Sequence, residues 1–77
     1  MKYELWTMSD CPACYLTKEL FKEQNIEFVE KLVFKDFSIE ELERVTGKRS
    51  LPSIFIDGEF VGNTDWVEKN LMNKDTK

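Results

Sequence analysis

The chain has 77 residues, a formal net charge of −4 and a hydrophobic content of 42%, which suits one small domain over residues 1–77 and leaves no room for a second. No apolar run approaches the roughly 20 residues that span a bilayer, and the N-terminus lacks the basic and apolar regions of a signal peptide. We therefore expect a soluble, monomeric, cytoplasmic protein. The absence of a basic cluster argues against nucleic acid or an anionic membrane as a partner.

The first part of the chain carries strand, helix and strand patterns in turn. Residues 2–7 alternate as a strand does, and residues 26–32 form a second strand whose facing the pattern leaves ambiguous. Between them, residues 12–24 have helical spacing, and Asn25 suits a C-terminal stop. The predicted apolar face of this helix consists of Leu16, Leu20 and Phe21.

A second helix is predicted from Ser38 onward. Ser38 and Glu41 form the pattern of a capping box, in which the serine bonds the N3 amide and the glutamate reaches back. Gly47 follows where a left-handed residue would end the helix. The stripe expected to enter the core consists of Ile39, Leu42 and Val45.

The rest of the chain predicts a hairpin and a short helix. Asp57-Gly58 is a strong two-residue turn between strands at 53–56 and 59–61, which should pair antiparallel. Thr64 is expected to cap a helix over 65–72, followed by a frayed polar tail over 73–77. The predicted order is β-α-β-α-β-β-α, an α/β fold.

The most informative motif is Cys11-Pro12-Ala13-Cys14, between the first strand and the first helix. Unpaired amides and the positive end of the helix dipole favour a thiolate at Cys11, which makes it the predicted nucleophile. Pro12 fits the first helical position, because its missing N–H would have no intrahelical partner. Cys14 lies about one turn deeper and is the predicted resolving thiol.

Two other interpretations of this pair are weaker. A structural zinc site normally needs four ligands, but the chain has two cysteines and no histidine, so we expect no metal. A purely structural disulfide would close a very short loop and would constrain the unfolded chain little. The pattern of strand, C-x-x-C and helix therefore favours a redox dithiol in a reducing compartment.

Taken together, the motifs resemble those of a glutaredoxin over nearly the whole chain. The matching positions are the first strand, Cys11-Pro12-Ala13-Cys14, Lys18, Leu51-Pro52, Asp57-Gly58 and the segment Val61-Gly62-Asn63-Thr64-Asp65. The resemblance implies the thioredoxin fold, with a four-stranded mixed sheet flanked by three helices. It also implies an enzyme that exchanges thiols and disulfides, reducing protein disulfides and glutathione mixed disulfides with glutathione as cosubstrate.

The resemblance also implies a set of contacts to glutathione or substrate. A cis bond before Pro52 would turn the backbone of Leu51 towards an extended thiol substrate, whereas an ordinary proline at a strand start is the alternative. The segment from Gly62 to Asp65 would hold the γ-glutamyl end of glutathione, although such a segment also caps helices. The full set of implied contact residues is Ala13, Lys18, Arg49, Leu51, Pro52, Gly62, Asn63, Thr64 and Asp65.

Three departures from the family pattern bear on the cosubstrate. Ala13 stands where tyrosine is usual, Met8 where a lysine often contacts glutathione, and Asn63 where the second glycine is expected. The asparagine is expected to preserve a left-handed turn while narrowing the pocket. These departures keep open a redoxin reduced by thioredoxin reductase, serving as electron donor to ribonucleotide reductase. A third alternative is an iron–sulfur carrier in which Cys11 and glutathione from two protomers share a cluster.

Overall fold

The structure is a computed structural model that describes residues 1–72. The predicted polar tail over 73–77 lies outside the described residues. The strands are β1 (Tyr3–Thr7), β2 (Phe28–Leu32), β3 (Ser53–Ile56) and β4 (Glu59–Gly62). The helices are α1 (Pro12–Glu23), α2 (Ile39–Thr46) and α3 (Thr64–Val67), and a π-helical turn, Glu68–Met72, continues α3. The predicted order of elements is confirmed.

The four strands form one mixed sheet in the order β2-β1-β3-β4. Strand β1 runs parallel to β2, with Thr7 opposite Leu32, and antiparallel to β3, with Trp6 opposite Ser53. Strands β3 and β4 pair antiparallel across the predicted Asp57-Gly58 turn, whose φ angles of 53° and 84° are both positive. Two such residues suit the tight turn that follows the twist of a hairpin.

Each face of the sheet packs against helices. Alternation along β1 sends Leu5 to one face and Trp6 to the other, and both side chains are buried. Leu5 joins the cluster that holds Phe21 of α1 and Val67 of α3, whereas Trp6 joins the cluster that holds Leu42 of α2. A mixed sheet with helices on both faces agrees with the expected architecture. None of the helices in residues 1–72 is long and apolar enough to cross a membrane.

Helix α1 ends one residue earlier than predicted. Its last turn closes through Asn25, at φ 59°, with the Asn25 N–H bonded to the Lys22 carbonyl at 3.0 Å and the Ile26 N–H bonded to the Phe21 carbonyl at 2.9 Å. These two bonds form the Schellman arrangement. Because Ile26 donates to the helix, strand β2 begins at Phe28 rather than at residue 26.

The predicted apolar face of α1 was wrong at one position. The buried residues are Cys14, Thr17 and Phe21, and Leu20 is partly buried. Leu16 is half exposed. One residue corresponds to about 100° of helix rotation, so Leu16 points away from the face that Cys14, Thr17 and Phe21 share.

Helix α2 begins as predicted but buries less of its stripe. The Glu41 N–H donates to the Ser38 hydroxyl at 3.1 Å, and Gly47 ends the helix at φ 79°. Leu42 is fully buried and Ile39 packs beside it, whereas Val45 is 43% exposed. Val45 was therefore wrongly assigned to the core, because α2 packs on the sheet through its first half.

Helix α3 begins differently from the prediction. Asn63 is its N-cap and Thr64 is its first helical residue, so Thr64 does not cap the helix as expected. The Asp65 carboxylate instead accepts the Asn63 N–H at 3.2 Å. A carboxylate in the first turn can reach back to the amides there, which makes a hydroxyl cap unnecessary.

Candidate dithiol active site

The two cysteines lie where β1 leads into α1. Thr7 ends the strand, Asp10 turns the chain at φ 57°, and Cys11 occupies the N-cap of α1 in an extended conformation. Pro12 takes the first helical position, as predicted. Cys11 is partly exposed, whereas Cys14 is 1% exposed. The helix start therefore presents one sulfur towards solvent and encloses the other.

A backbone hydrogen bond links the two positions. The Cys14 N–H donates to the Cys11 Sγ at 3.1 Å, and both cysteines are free thiols. An N–H aimed at sulfur stabilises a thiolate more than a neutral thiol. A second hydrogen bond stabilises the turn, because the buried Thr17 hydroxyl donates to the Ala13 carbonyl at 2.8 Å. The site can therefore hold a nucleophilic Cys11 in a fixed turn.

Burial, followed by a hydrogen bond with the Cys11 side chain, raises the pKa of the Cys14 thiol from 9.0 to about 12. A backbone hydrogen bond from Met8 and the positive charge of Lys18 act in the opposite direction without overcoming burial. At neutral pH, Cys14 is consequently a protonated thiol. It must lose that proton before it can attack a disulfide.

A carboxylate on β2 lies beside this helix and was absent from the sequence-based site. The Glu30 Oε2 accepts the Thr7 hydroxyl at 2.7 Å and the Lys18 ammonium at 3.0 Å. The hydrogen bond from Thr7, followed by that from Lys18, lowers the pKa of Glu30. Lys18, predicted to contact glutathione, is thus ion-paired within the chain. The sequence did carry a signal for Glu30, because it lies two residues after Phe28 and therefore on the same face of β2 as that residue.

The Leu51–Pro52 peptide bond is cis, and Pro52 is buried. Ser53 pairs with Trp6 in the antiparallel register, so Pro52 lies beside the end of β1 that leads to Cys11. The Ser53 hydroxyl donates to the Ser50 carbonyl at 2.9 Å, which closes the loop on itself. The structure therefore brings the predicted proline loop to the same edge of the sheet as the dithiol.

The segment from Gly62 to Asp65 packs against this loop. Gly62 lies opposite Ile54 in the β3–β4 pair, and a Cβ on Gly62 would stand 2.5 Å from the Trp66 Cβ. Backbone hydrogen bonds from Asn63 and Trp66 lower the pKa of the Asp65 carboxyl. The N-terminal end of α3 thus already holds a carboxylate from its own chain.

Asn63 differs from its sequence-based description. Its φ of −115° is not left-handed, so the turn does not need asparagine for that reason. Its side chain is buried and donates to the Pro52 carbonyl at 2.7 Å, to the Ser53 hydroxyl at 3.1 Å and to the Ser50 carbonyl at 3.3 Å. The side chain therefore bonds to the proline loop.

The remaining predicted residues are at least partly exposed. Ala13 is partly buried and Met8 is 44% exposed. Arg49 is exposed and its Nε donates to Glu43 of α2 at 3.0 Å. Among residues 1–72, no group of three or more His, Cys, Asp or Glu side chains is arranged to hold a metal ion.

Comparison with known proteins gives a consistent result. The family model described as Glutaredoxin matches residues 3–61. A protein of Synechocystis named "Probable glutaredoxin" is 41% identical over 66 residues, which cover 83% of this chain and 75% of that protein. A buckwheat glutaredoxin–glutathione complex superposes with a TM-score of 0.80 at 23% identity, covering 92% of this chain and 68% of that one. A crystallised thioredoxin-like protein superposes with a TM-score of 0.65 at 30% identity, covering 87% of this chain and 96% of that one.

Proposed function

The chain belongs to the glutaredoxin family of thiol–disulfide oxidoreductases, and we propose that it uses glutathione to reduce glutathione mixed disulfides and protein disulfides. The observation that carries the proposal is the unequal placement of the two thiols. Cys11 is partly exposed and accepts the Cys14 N–H, whereas Cys14 is buried and has a raised pKa. One sulfur is thus suited to attack substrate and the other to react afterwards.

In the first step, the Cys11 thiolate attacks one sulfur of the substrate disulfide. A bond forms between the Cys11 Sγ and that sulfur, while the substrate S–S bond breaks and the other sulfur leaves as a thiolate. The Cys14 N–H at 3.1 Å stabilises the attacking charge before the step.

Two routes complete the cycle. With a glutathionylated substrate, Cys11 takes the glutathionyl group, and a second glutathione attacks it to release oxidised glutathione and the Cys11 thiolate. With a protein disulfide, Cys14 loses its proton and attacks the mixed disulfide, which releases the reduced protein and leaves a Cys11–Cys14 disulfide. Two glutathione molecules then restore the dithiol and become oxidised glutathione.

The glutathione contacts are proposed from the resemblance and supported by the placement of the segments. Leu51 and Pro52 lie beside the end of β1, and the segment from Gly62 to Asp65 packs against the same loop through Asn63. The Leu51 backbone would pair with the extended cosubstrate, and Thr64 and Asp65 would receive its γ-glutamyl end. We call the space between Leu51 and the segment from Gly62 to Asp65 the substrate groove. Ala13 would leave this groove wider above the motif than a tyrosine would.

Two positive side chains would complete the groove. Lys18 is bonded to Glu30 and Arg49 to Glu43, both at 3.0 Å. Both ion pairs are partly exposed, so each costs little to rearrange towards an anionic cosubstrate. We propose a cytoplasmic, reducing setting, in which both cysteines are kept as free thiols.

The test is a coupled assay of NADPH oxidation with a glutathionylated peptide, glutathione and glutathione reductase. Cys11→Ser should abolish turnover, and Cys14→Ser should retain turnover of the glutathionylated peptide while losing reduction of a protein disulfide. A Cys14→Ser protein that is inactive towards the glutathionylated peptide would refute the route that needs one thiol.

A second candidate differs only in the reductant. The thioredoxin-like neighbour is 30% identical and matches over 96% of its length, and Ala13 and Met8 remove two side chains expected to contact glutathione. Under this candidate, thioredoxin reductase reduces the dithiol, which then donates electrons to ribonucleotide reductase. Turnover with thioredoxin reductase and none with glutathione would favour it over the first proposal.

A further inference from the structure

Asn63 connects two segments that are separate in the sequence. It lies between β4 and α3, is 8% exposed, and donates from one side-chain nitrogen towards three oxygens of the loop at residues 50–53. The shortest of these bonds, to the Pro52 carbonyl, is 2.7 Å. A buried amide with this many acceptors around one nitrogen is a specific arrangement rather than a solvated surface contact.

The chemistry of the acceptors fixes the orientation of the amide. With oxygen and nitrogen exchanged, the Asn63 Oδ1 would face the carbonyl oxygens of Ser50 and Pro52, and acceptors would oppose acceptors. In the orientation observed, the Oδ1 is buried and has no hydrogen-bond partner among the described residues. Burying an acceptor without a donor is unfavourable, so the bonds of the nitrogen are made at the expense of the oxygen.

The backbone of Asn63 forms its hydrogen bonds with the first residues of α3. Its N–H donates to Asp65 at 3.2 Å, and its carbonyl accepts the N–H of Trp66 at 3.0 Å. Gly62, immediately before it, leaves no space for a Cβ against Trp66. The start of α3 is therefore fixed, and the Asn63 side chain ties it to the proline loop.

We propose that Asn63 is a positioning residue that determines specificity by setting the spacing between the two walls of the substrate groove. This inference rests on the proposed function, in which Leu51 of one wall and the segment from Gly62 to Asp65 of the other bind the same glutathionyl group. Cys11 and Cys14 lie at the start of α1, whereas the hydrogen bonds of Asn63 join it to Ser50, Pro52 and Ser53, so the amide acts on the groove and not on the two sulfurs. The departure from glycine at this position thus organises the groove.

The experiment compares Asn63→Ala with Asn70→Ala. Alanine removes the Asn63 amide and keeps its Cβ, and Asn70 is a matched control because its amide also donates to a carbonyl, that of Trp66 at 2.9 Å, but from an exposed position. Each variant is assayed for KM and kcat with a glutathionylated peptide, and for the rate of attack on an aromatic disulfide that contains no glutathione. Urea unfolding shows which variants are folded under the assay conditions.

We expect Asn63→Ala to raise the KM for the glutathionylated peptide about tenfold, as for the loss of one or two neutral hydrogen bonds, and to change the rate on the aromatic disulfide much less. Asn70→Ala should match the wild-type protein in all three. If Asn63→Ala does not fold, Asn63→Gly, which carries the residue of the family pattern, takes its place with the same expectation.

Four results would overturn the inference. An unchanged KM shows that the spacing does not depend on Asn63, and an equal loss with both substrates shows that the residue only supports the fold. A wild-type protein that does not distinguish the glutathionylated peptide from the aromatic disulfide overturns the proposed function together with this inference. A wild-type preference that Asn63→Ala retains overturns the inference alone.

Discussion

Replacing Gly62 by alanine tests the link between the start of α3 and the groove. The added Cβ would stand 2.5 Å from the Trp66 Cβ and 3.3 Å from its Cγ. Carbon atoms in contact are ordinarily separated by about 3.5 Å or more, so a movement of about 1 Å is needed. The Trp66 Cβ is attached directly to the backbone, so a change of rotamer cannot remove the clash and the start of α3 must shift.

The expected cost follows from that shift. Overpacking of this kind destabilises a protein by about 1–3 kcal/mol. With a urea dependence of about 1 kcal/mol per molar for so small a domain, the midpoint of unfolding should fall by about 1–3 M. Because Thr64 and Asp65 move with Trp66, kcat/KM for a glutathionylated peptide should fall by as much as about 100-fold, which is the order expected for a misplacement of 1 Å.

Gly47→Ala is the matched control. Gly47 has φ 79°, and a Cβ there would meet nothing within 4 Å, so the cost is that of a left-handed alanine, about 1–2 kcal/mol. Gly47 ends α2, so this variant should lose stability and keep its kcat/KM. The reasoning is refuted if Gly62→Ala keeps kcat/KM within about twofold of the wild-type value, since a shift of about 1 Å should lower kcat/KM by much more than that.

Three further predictions concern titrating groups. Iodoacetamide at neutral pH should alkylate Cys11 and spare the buried Cys14, whose pKa is raised from 9.0 to about 12; mass spectrometry after brief labelling checks this, and equal labelling of both would contradict it. Because the folded state keeps the Cys14 proton longer than the unfolded chain, this thiol should also lower stability as pH rises from 9.0 towards 12. The pKa of Glu30 is lowered from its ordinary 4.5, so its contribution to stability is complete above that pH and is lost as pH falls through the folded value. The free energy of unfolding of Glu30→Gln should therefore be lower than that of the wild type at neutral pH. In urea titrations it should fall less steeply below pH 4.5 than the wild-type value does. An unchanged acid profile would show that the bonds of Glu30 to Thr7 and Lys18 contribute nothing to stability.

Local patterns were sufficient for the elements and the reactive motif. The capping serine at 38, the glycine at 47 and the turn at 57–58 all act through neighbours in the sequence, and each appears where the pattern predicts it. The position of Cys11 at a helix start follows from the same kind of information. These features could be predicted because their physical causes lie within a few residues.

Features that depend on distant contacts could not be predicted in this way. Glu30 meets a threonine 23 residues away, and Asn63 bonds to a loop 10 to 13 residues earlier in the chain. Leu16 and Val45 have the spacing of core residues, but both side chains lie on exposed parts of their helices. Spacing identifies the faces of a helix, whereas burial depends on the position of the neighbouring element.

The hydrogen bond from the Cys14 N–H to the Cys11 sulfur also affects the redox equilibrium. This bond belongs to the reduced protein, where the acceptor can be a full thiolate. In the disulfide the same sulfur carries no charge and is a weaker acceptor, so oxidation gives up part of this interaction. Stabilising the dithiol in this way makes the couple more oxidising, by about 30 mV for each 1.4 kcal/mol. The amide that bonds to Cys11, the proposed nucleophile, therefore also helps to keep the resting enzyme reduced.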